Sequence, residues 1–107
     1  MVMDLIGKWR ESTPDTIKNS QTEYGPLEPN IHYNWTGWGW ICNWLENHGV
    51  NMEEFSGMND GETISRKTCK KVAETLEKHW DELNPEDQEW LKSHIEIWKW
   101  TLNFKQY

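Results

Sequence analysis

The chain is poor in the residues that mark several protein classes. Its two cysteines, Cys42 and Cys69, form no C-x-x-C pair and are too few for a disulfide framework. We expect both to be buried thiols on the apolar faces of helices. The sequence has no apolar run of about 18 residues and no apolar N-terminal segment, so we expect no membrane partner and no signal peptide. These features favour a cytoplasmic protein.

Basic residues are also scarce. The chain holds 11 Lys and Arg against 18 Asp and Glu, which gives a formal net charge of −7. The imbalance lies in residues 1–65, because residues 66–107 hold eight residues of each sign. Phosphate backbones repel an acidic chain, so direct nucleic-acid binding is disfavoured, whereas a basic protein surface is a suitable partner. Solubility alone also explains a charge of this size.

Aliphatic side chains are few, and tryptophan takes their place. Hydrophobic residues make up 36% of 107 positions, and nine positions are tryptophan. This composition excludes a disordered tail, a coiled coil and a collagen-like chain. The length suits a single domain in which the few large apolar side chains must supply most of the core.

Turn residues divide the chain into three regions. These regions are 1–33, 34–64 and 65–107. The first is expected to hold two short strands, at 1–9 and 31–33, which pair with each other. A long loop over 10–30, rich in Pro, Gly, Asn and Ser, joins them.

Helical periodicity dominates the rest of the chain. It predicts a Trp-rich helix at about 38–48 and one helical turn near 52–55, followed by an Asn-Asp-Gly turn. Two further helices, at about 65–83 and 85–104, form an antiparallel hairpin. We therefore predict a single, mainly α domain with three principal helices and a short N-terminal strand pair.

Polar residues mark where these helices begin. Thr36, Ser65 and Asn84 are the expected N-caps of the three helices, and Pro85 follows Asn84 at the first helical position. Asn51 with Glu54 resembles a capping box for the extra turn.

The strongest candidate site is a block of four indoles, Trp35, Trp38, Trp40 and Trp44. Indoles at i, i+2 and i+4 point in several directions, so they cannot all enter one core. An exposed indole stacks on planar rings and on cations. The alternative is that a chain poor in aliphatic residues builds its core from tryptophan.

A second candidate lies around the start of the helix that follows Ser65. Asn59, Asp60, Arg66, Lys67 and Lys70 surround a helix N-terminus, which favours anions. Basic residues in a first helical turn oppose the helix dipole unless acids neutralise them or an anion binds. A phosphate would suit, and neutralisation by neighbouring acids is the alternative.

No pattern for catalysis or metal binding is present. The chain lacks G-x-S-x-G, a P-loop and a dinucleotide fingerprint. Its four histidines (His32, His48, His79 and His94) have no metal-binding spacing. We therefore expect no metal and no cofactor, and we favour a protein that is not an enzyme.

Three segments together resemble a group of small bacterial and phage-type proteins. They are M-D-L-I-G-K at 3–8, N-W-T-G-W-G-W-I-C-N-W at 34–44, and N-D-G-E-T-I at 59–64 with the following Ala73 and Leu76. The group has an M-D-x-x-G start, a Trp-rich helix and an N-D-G turn before a helix. The resemblance implies this order of elements and that the Trp block and the turn form one unit; it implies no chemistry.

Two functional hypotheses follow. The first is a small acidic, non-enzymatic binding module that sequesters a nucleotide-like molecule, with its planar ring on the indoles and its anionic group at residues 59–71. The second is an interaction or inhibitor protein that presents an acidic, Trp-bearing surface to a basic protein partner.

Overall fold

The structure is a computed structural model that describes residues 2–22, 25–55 and 61–107. Its strands are β1 (Val2–Trp9), β2 (Gln21–Thr22), β3 (Gly25–Pro26), β4 (Asn30–Asn34), β5 (Thr63–Ile64) and β6 (Thr101–Gln106). Its helices are α1 (Asp15–Lys18), α2 (Trp35–Asn47), α3 (Arg66–Lys78) and α4 (Pro85–Trp100), with a 3-10 turn at Trp80–Glu82. Across these ranges, every helix is too short or too polar to cross a bilayer.

The fold is built on a four-stranded antiparallel sheet with the order β4-β1-β6-β5. The predicted pairing between residues 1–9 and 31–33 is present, in a register that runs from Val2↔Asn34 to Ile6↔Asn30. That pair is only half of the sheet, because β6 covers the other edge of β1 and β5 extends it. The prediction of a mainly α fold is therefore wrong, because the described residues form a mixed α/β structure in which four helices accompany this sheet and the smaller β2-β3 sheet.

Of the two unpredicted strands of this sheet, β6 comes from the segment that was expected to end the last helix, and β5 comes from the segment before α3. Thr101 and Phe104 keep the apolar spacing of α4, which is why the pattern predicted a helix as far as residue 104. The helix instead ends at Trp100, and Thr101 begins β6. As a strand, β6 forms backbone hydrogen bonds with β1 on one side and β5 on the other. If the helix continued instead, the facing backbone groups of β1 and β5 would lose these partners.

Helix α2 starts earlier than its sequence pattern indicated. Asn34, the last residue of β4, is the N-cap, and its side chain accepts a hydrogen bond of 2.6 Å from the Gly37 amide. The prediction of Thr36 as the cap is therefore wrong. Gly37 also makes room for an indole, because a Cβ atom there would lie 3.1 Å from the ring of Trp90.

The predicted hairpin of two helices is present as α3 and α4, with both expected N-caps. The Ser65 hydroxyl accepts from the Thr68 amide at 3.4 Å, and the Asn84 side chain accepts from the Asp87 amide at 2.8 Å. The single helix expected over 65–83 is interrupted, because His79 leaves helical geometry and the 3-10 turn follows.

The segment 10–30 is not one unstructured loop, as the sequence had suggested. It contains α1 and a two-stranded sheet of β2 and β3. Thr13, which is buried, donates from its hydroxyl to the carbonyl oxygen of Trp100 at 3.3 Å. The segment is therefore tied to the junction of α4 and β6.

The helices bury their apolar faces against one side of the sheet. Fully buried side chains come from every main element, among them Met3, Leu5, Tyr33, Ile41, Leu45, Ile64, Leu76, Leu91, Trp98 and Phe104. β1 passes close to its neighbours at Gly7, where a Cβ atom would lie 2.4 Å from both the Pro29 carbonyl oxygen and the Thr101 hydroxyl. Only glycine fits at this position, because any larger side chain would overlap these two oxygen atoms.

Candidate functional site

The tryptophans divide between the core and the surface. Of the nine, Trp38 and Trp98 are buried, six are partly exposed, and Trp90 is 36% exposed. Five of the six, Trp9, Trp35, Trp40, Trp44 and Trp80, pack against the core, so they contribute to it while leaving part of each ring at the surface. Those of the 34–44 block lie on two different faces of α2.

One face forms a groove between α2 and residues 50–55, which we call the indole groove. It has a volume of about 330 Å³. Its lining consists of Trp35, Trp38, Gly39, Cys42, Glu46, Met52 and Phe55. Trp38 packs against Phe55 with ring centroids 5.9 Å apart, while a Cβ atom at Gly39 would meet nothing within 4 Å. The groove thus has aromatic walls and open space above Gly39.

The outer wall of the groove is held in place by polar contacts. The side-chain amide of Gln106, which is fully buried, donates to the Glu54 carbonyl oxygen at 2.8 Å. The Glu54 carboxylate accepts from the amide and the hydroxyl of Ser65, each at 2.8 Å. Residues 50–55 are therefore anchored to β6 and to the start of α3, so the groove exists without a ligand.

The expected capping box is only partly formed. Asn51 accepts from the Glu53 amide at 2.9 Å, as an N-cap would, and the Phe55 amide donates to the Met52 carbonyl oxygen at 3.0 Å. Glu54, however, caps α3 instead of returning to Asn51. The segment is a turn fixed by tertiary contacts.

The same carboxylate occupies the place predicted for an anion. Burial opposes ionisation of Glu54, but hydrogen bonds from Thr68 and Ser65 and the charge of Lys67 outweigh it and lower its pKa. A polar pocket of about 290 Å³ surrounds this carboxylate. Its lining consists of Val50, Asn51, Glu53, Glu54, Ser65, Lys67, Thr68 and Lys71. It shares the 50–55 wall with the indole groove but none of its lining residues.

The other basic candidates lie elsewhere. The Arg66 guanidinium donates to the carbonyl oxygens of Thr101 and Lys99 at 2.5 and 2.6 Å, and so caps the C-terminal end of α4. Lys70 is exposed and lies 3.9 Å from the Glu74 carboxylate. Asn59 and Asp60 fall outside the described residues. Arg66 and Lys70 line one pocket of about 280 Å³, together with Glu74 and Glu77, whereas Lys67 lines the polar pocket around Glu54. The structure therefore brings two of the three predicted basic residues together and separates the third.

Trp40 and Trp44 lie on another face of α2, in a surface row of rings. The row consists of Trp90, Trp40, Trp44, His48 and His79. Trp40 stacks on Trp44 with centroids 6.3 Å apart and meets the edge of Trp90 at 5.7 Å. Trp44 stacks on His48 at 4.0 Å, and His48 meets His79 at 4.5 Å. This aromatic row joins three helices along one side of the domain.

The row ends at a group that the sequence did not reveal. His48 and His79 are the C-cap residues of α2 and α3, and both approach the carboxylate of Glu82. His79 and Glu82 are three residues apart, at the cap and the end of the 3-10 turn, but no local spacing predicts that His48 of another element meets them. The only sequence signal is that both helices end in a histidine.

The thiol in the groove is not a nucleophile. Burial raises the pKa of Cys42 to about 12, with a further contribution from the charge of Glu46. Burial raises the pKa of Cys69 to about 12 as well. Both cysteines are free, and both stay protonated at neutral pH, so the groove offers contact surface and one carboxylate but no activated thiolate.

Searches among family models, curated proteins and solved structures found no match to this chain. The resemblance to small bacterial and phage-type proteins therefore stays a prediction.

Proposed function

We propose that the chain is a non-enzymatic binding module that holds a planar heteroaromatic ring in the indole groove. The observation that carries this proposal is the groove itself, which Trp35, Phe55 and the largely buried Trp38 line beside the open space at Gly39. Its volume of about 330 Å³ falls within the range of about 300–1,000 Å³ typical of small-molecule sites. Indole and phenyl faces bind planar rings through stacking and apolar contact.

The charge of the groove narrows the ligand class. Glu46 is its one charged lining residue, so a ring that carries an amino group or a positive charge is favoured over one that carries a phosphate there. The lysines of the polar pocket, Lys67 and Lys71, lie beyond the 50–55 wall. A nucleotide-like ligand would place its base in the groove, and the base would supply most of the affinity.

The test is a titration of the whole chain with adenosine, guanosine and their monophosphates, in EDTA, followed by tryptophan fluorescence and thermal shift. We expect at least one nucleoside to bind one-to-one and its monophosphate to bind no more tightly. Gly39→Leu fills the groove while every indole is kept, and should reduce affinity about tenfold or more. Asn47→Leu, an exposed position on another face of α2, is the matched control and should leave affinity unchanged.

Two results would contradict the proposal. One is the absence of binding by every nucleoside and nucleotide in the panel. The other is equal affinity in Gly39→Leu and the parent chain. A clear preference for the monophosphates, lost in Lys67→Ala, would instead move the ligand to the polar pocket.

The half-exposed Trp90 favours a second candidate, an interaction protein with a basic partner. Exposed indoles are common energetic centres of interfaces, and the net charge of −7 suits a basic surface. Binding of such a partner should weaken with salt and with Trp90→Ala, and Gly39→Leu should not affect it.

For either candidate, the free thiols of Cys42 and Cys69 make the cytoplasm the expected location.

A further inference from the structure

Three potential metal ligands converge where α2 and α3 end. The nearest ligand atoms of His48, His79 and Glu82 all lie within 4.8 Å of one another. The Nε2 atom of His48 lies 3.5 Å from one carboxylate oxygen of Glu82, and the Nδ1 atom of His79 contacts the other oxygen. Two ligands of one zinc ion, each about 2.0–2.1 Å from the metal in a tetrahedral site, are separated by about 3.3 Å. The His48–Glu82 separation of 3.5 Å matches that spacing, and side-chain adjustment within the 4.8 Å cluster would bring the third ligand to it.

The hydrogen bonding of His48 prepares it as a ligand. Its Nδ1–H donates to the Trp44 carbonyl oxygen at 2.7 Å, which leaves the lone pair of Nε2 facing Glu82. Metal-binding histidines commonly donate their second nitrogen to a carbonyl oxygen in this way, because the bond fixes the tautomer and the ring orientation. In the neutral ring this lone pair faces the carboxylate unfavourably, and a cation at Nε2, whether a proton or a metal ion, makes the interaction attractive.

The rings are also held in place before any ion binds. His48 stacks on Trp44 with centroids 4.0 Å apart, and it packs edge-to-face with His79 at a centroid distance of 4.5 Å. The two histidine side chains are 19% and 26% exposed, whereas that of Glu82 is 58% exposed. The imidazoles therefore form a rigid base, and the carboxylate closes the site from the solvent side, where a water ligand has access.

We propose that His48, His79 and Glu82 bind a divalent transition-metal ion, with zinc as the best fit. Two imidazoles and one carboxylate suit Zn²⁺, Co²⁺, Ni²⁺ and Cu²⁺, whereas Mg²⁺ and Ca²⁺ prefer all-oxygen sites. Three protein ligands leave a fourth position for water. The site is separate from the indole groove and does not depend on a ligand there.

The first test is calorimetric titration of the EDTA-treated whole chain with ZnCl₂. We expect one equivalent to bind at micromolar concentrations and to raise the thermal midpoint, with MgCl₂ producing neither effect. Co²⁺ should give the visible absorption of a four-coordinate ion. Cu²⁺ should quench tryptophan fluorescence, and most of that quenching should disappear in Trp44→Phe, because Trp44 stacks directly on His48.

Variants assign the ligands. Glu82→Gln is the main one, because the side chain is exposed and its replacement is close in shape. Glu82→Gln and His79→Gln should each weaken zinc binding about tenfold or more, as loss of a ligand requires. His32→Gln removes an exposed histidine that pairs with Asp4 at 2.5 Å on the sheet, and should leave zinc affinity unchanged. Circular dichroism in EDTA establishes that each variant is folded.

The proposal is overturned if zinc shows no one-to-one binding to the folded parent chain at micromolar concentrations. It is also overturned if Glu82→Gln and His79→Gln, both folded, bind zinc as tightly as the parent. Loss of binding in His32→Gln would place the metal on the sheet and overturn it as well.

Discussion

His94 links the stability of the core to pH. Its Nδ1 atom lies 3.1 Å from the hydroxyl of Tyr33, which in turn accepts from the indole N–H of Trp98 at 3.5 Å. Because the Tyr33 hydroxyl oxygen accepts this bond, its O–H is free to donate to the Nδ1 atom of His94. That hydrogen bond requires Nδ1 of His94 to be unprotonated. Tyr33 and Trp98 are buried, and burial lowers the pKa of His94 to about 4.

The sign and size of the effect follow from that pKa. An unfolded histidine titrates near 6.5, so between pH 6.5 and pH 4 the unfolded chain binds a proton that the folded chain does not. Stability from this residue is thus fully present above pH 6.5 and is lost as the pH falls toward 4. At 1.36 kcal/mol per pH unit, the loss is about 3 kcal/mol.

The assay compares the parent chain with His94→Asn, whose side-chain oxygen can accept from Tyr33 but does not titrate in this range. Urea unfolding at pH 7 and pH 4 gives the free energy of each. The free energy of unfolding of the parent minus that of the variant should be about 3 kcal/mol smaller at pH 4 than at pH 7. The carboxylates and the other histidines are the same in both chains, so their contributions cancel in this difference. Ser93→Asn, an exposed change in the same helix, should show no such trend. A parent-to-variant difference that is constant with pH would refute the argument.

Three further outcomes are expected. In urea unfolding, Gly7→Ala should lower the free energy of unfolding by about 2–3 kcal/mol, because the added carbon would overlap the Pro29 carbonyl oxygen. In the same assay, Gly39→Ala should raise the free energy of unfolding by about 0.5–1 kcal/mol, because alanine has the higher helix propensity and its side chain enters open space. Arg66→Met should cost about 2–3 kcal/mol by urea unfolding and should fray the end of α4 in hydrogen exchange, because charged hydrogen bonds to its carbonyl oxygens are lost. Labelling of Cys42 with a disulfide reagent at pH 8 should be about 30- to 100-fold slower than that of an unstructured cysteine, because a pKa of about 12 lowers the thiolate fraction more than it raises thiolate nucleophilicity. A rate equal to the unstructured one would contradict that pKa.

Features that depend on neighbouring residues could be predicted from the sequence. Ser65 and Asn84 cap their helices as expected, because an N-cap contacts an amide only two or three residues away. The pairing of the first strand with residues 31–33 was also predicted, since short runs of alternating apolar residues mark both strands.

Features that depend on contacts between distant parts of the chain could not be predicted from the sequence. The apolar positions of α4 and β6 follow one continuous helical spacing, and only the presence of β1 beside Thr101 decides that the segment is a strand. The outer wall of the indole groove depends on Gln106, a polar residue whose burial has no local signature. His48 and His79 meet because two helices end side by side, which no spacing within either helix encodes.

The charged candidates were the least predictable part of the site, and helix ends explain why. Each helix leaves four amides and four carbonyls without intrahelical partners, so charged side chains near its ends are drawn to the backbone before any ligand arrives. Glu54 takes the start of α3, the place predicted for an anion, and Arg66 takes the end of α4, which draws it away from that predicted site. Aromatic rings have no such backbone partner. Rings that only partly enter the core keep some surface exposed, so the proposed binding groove rests on rings more than on charges.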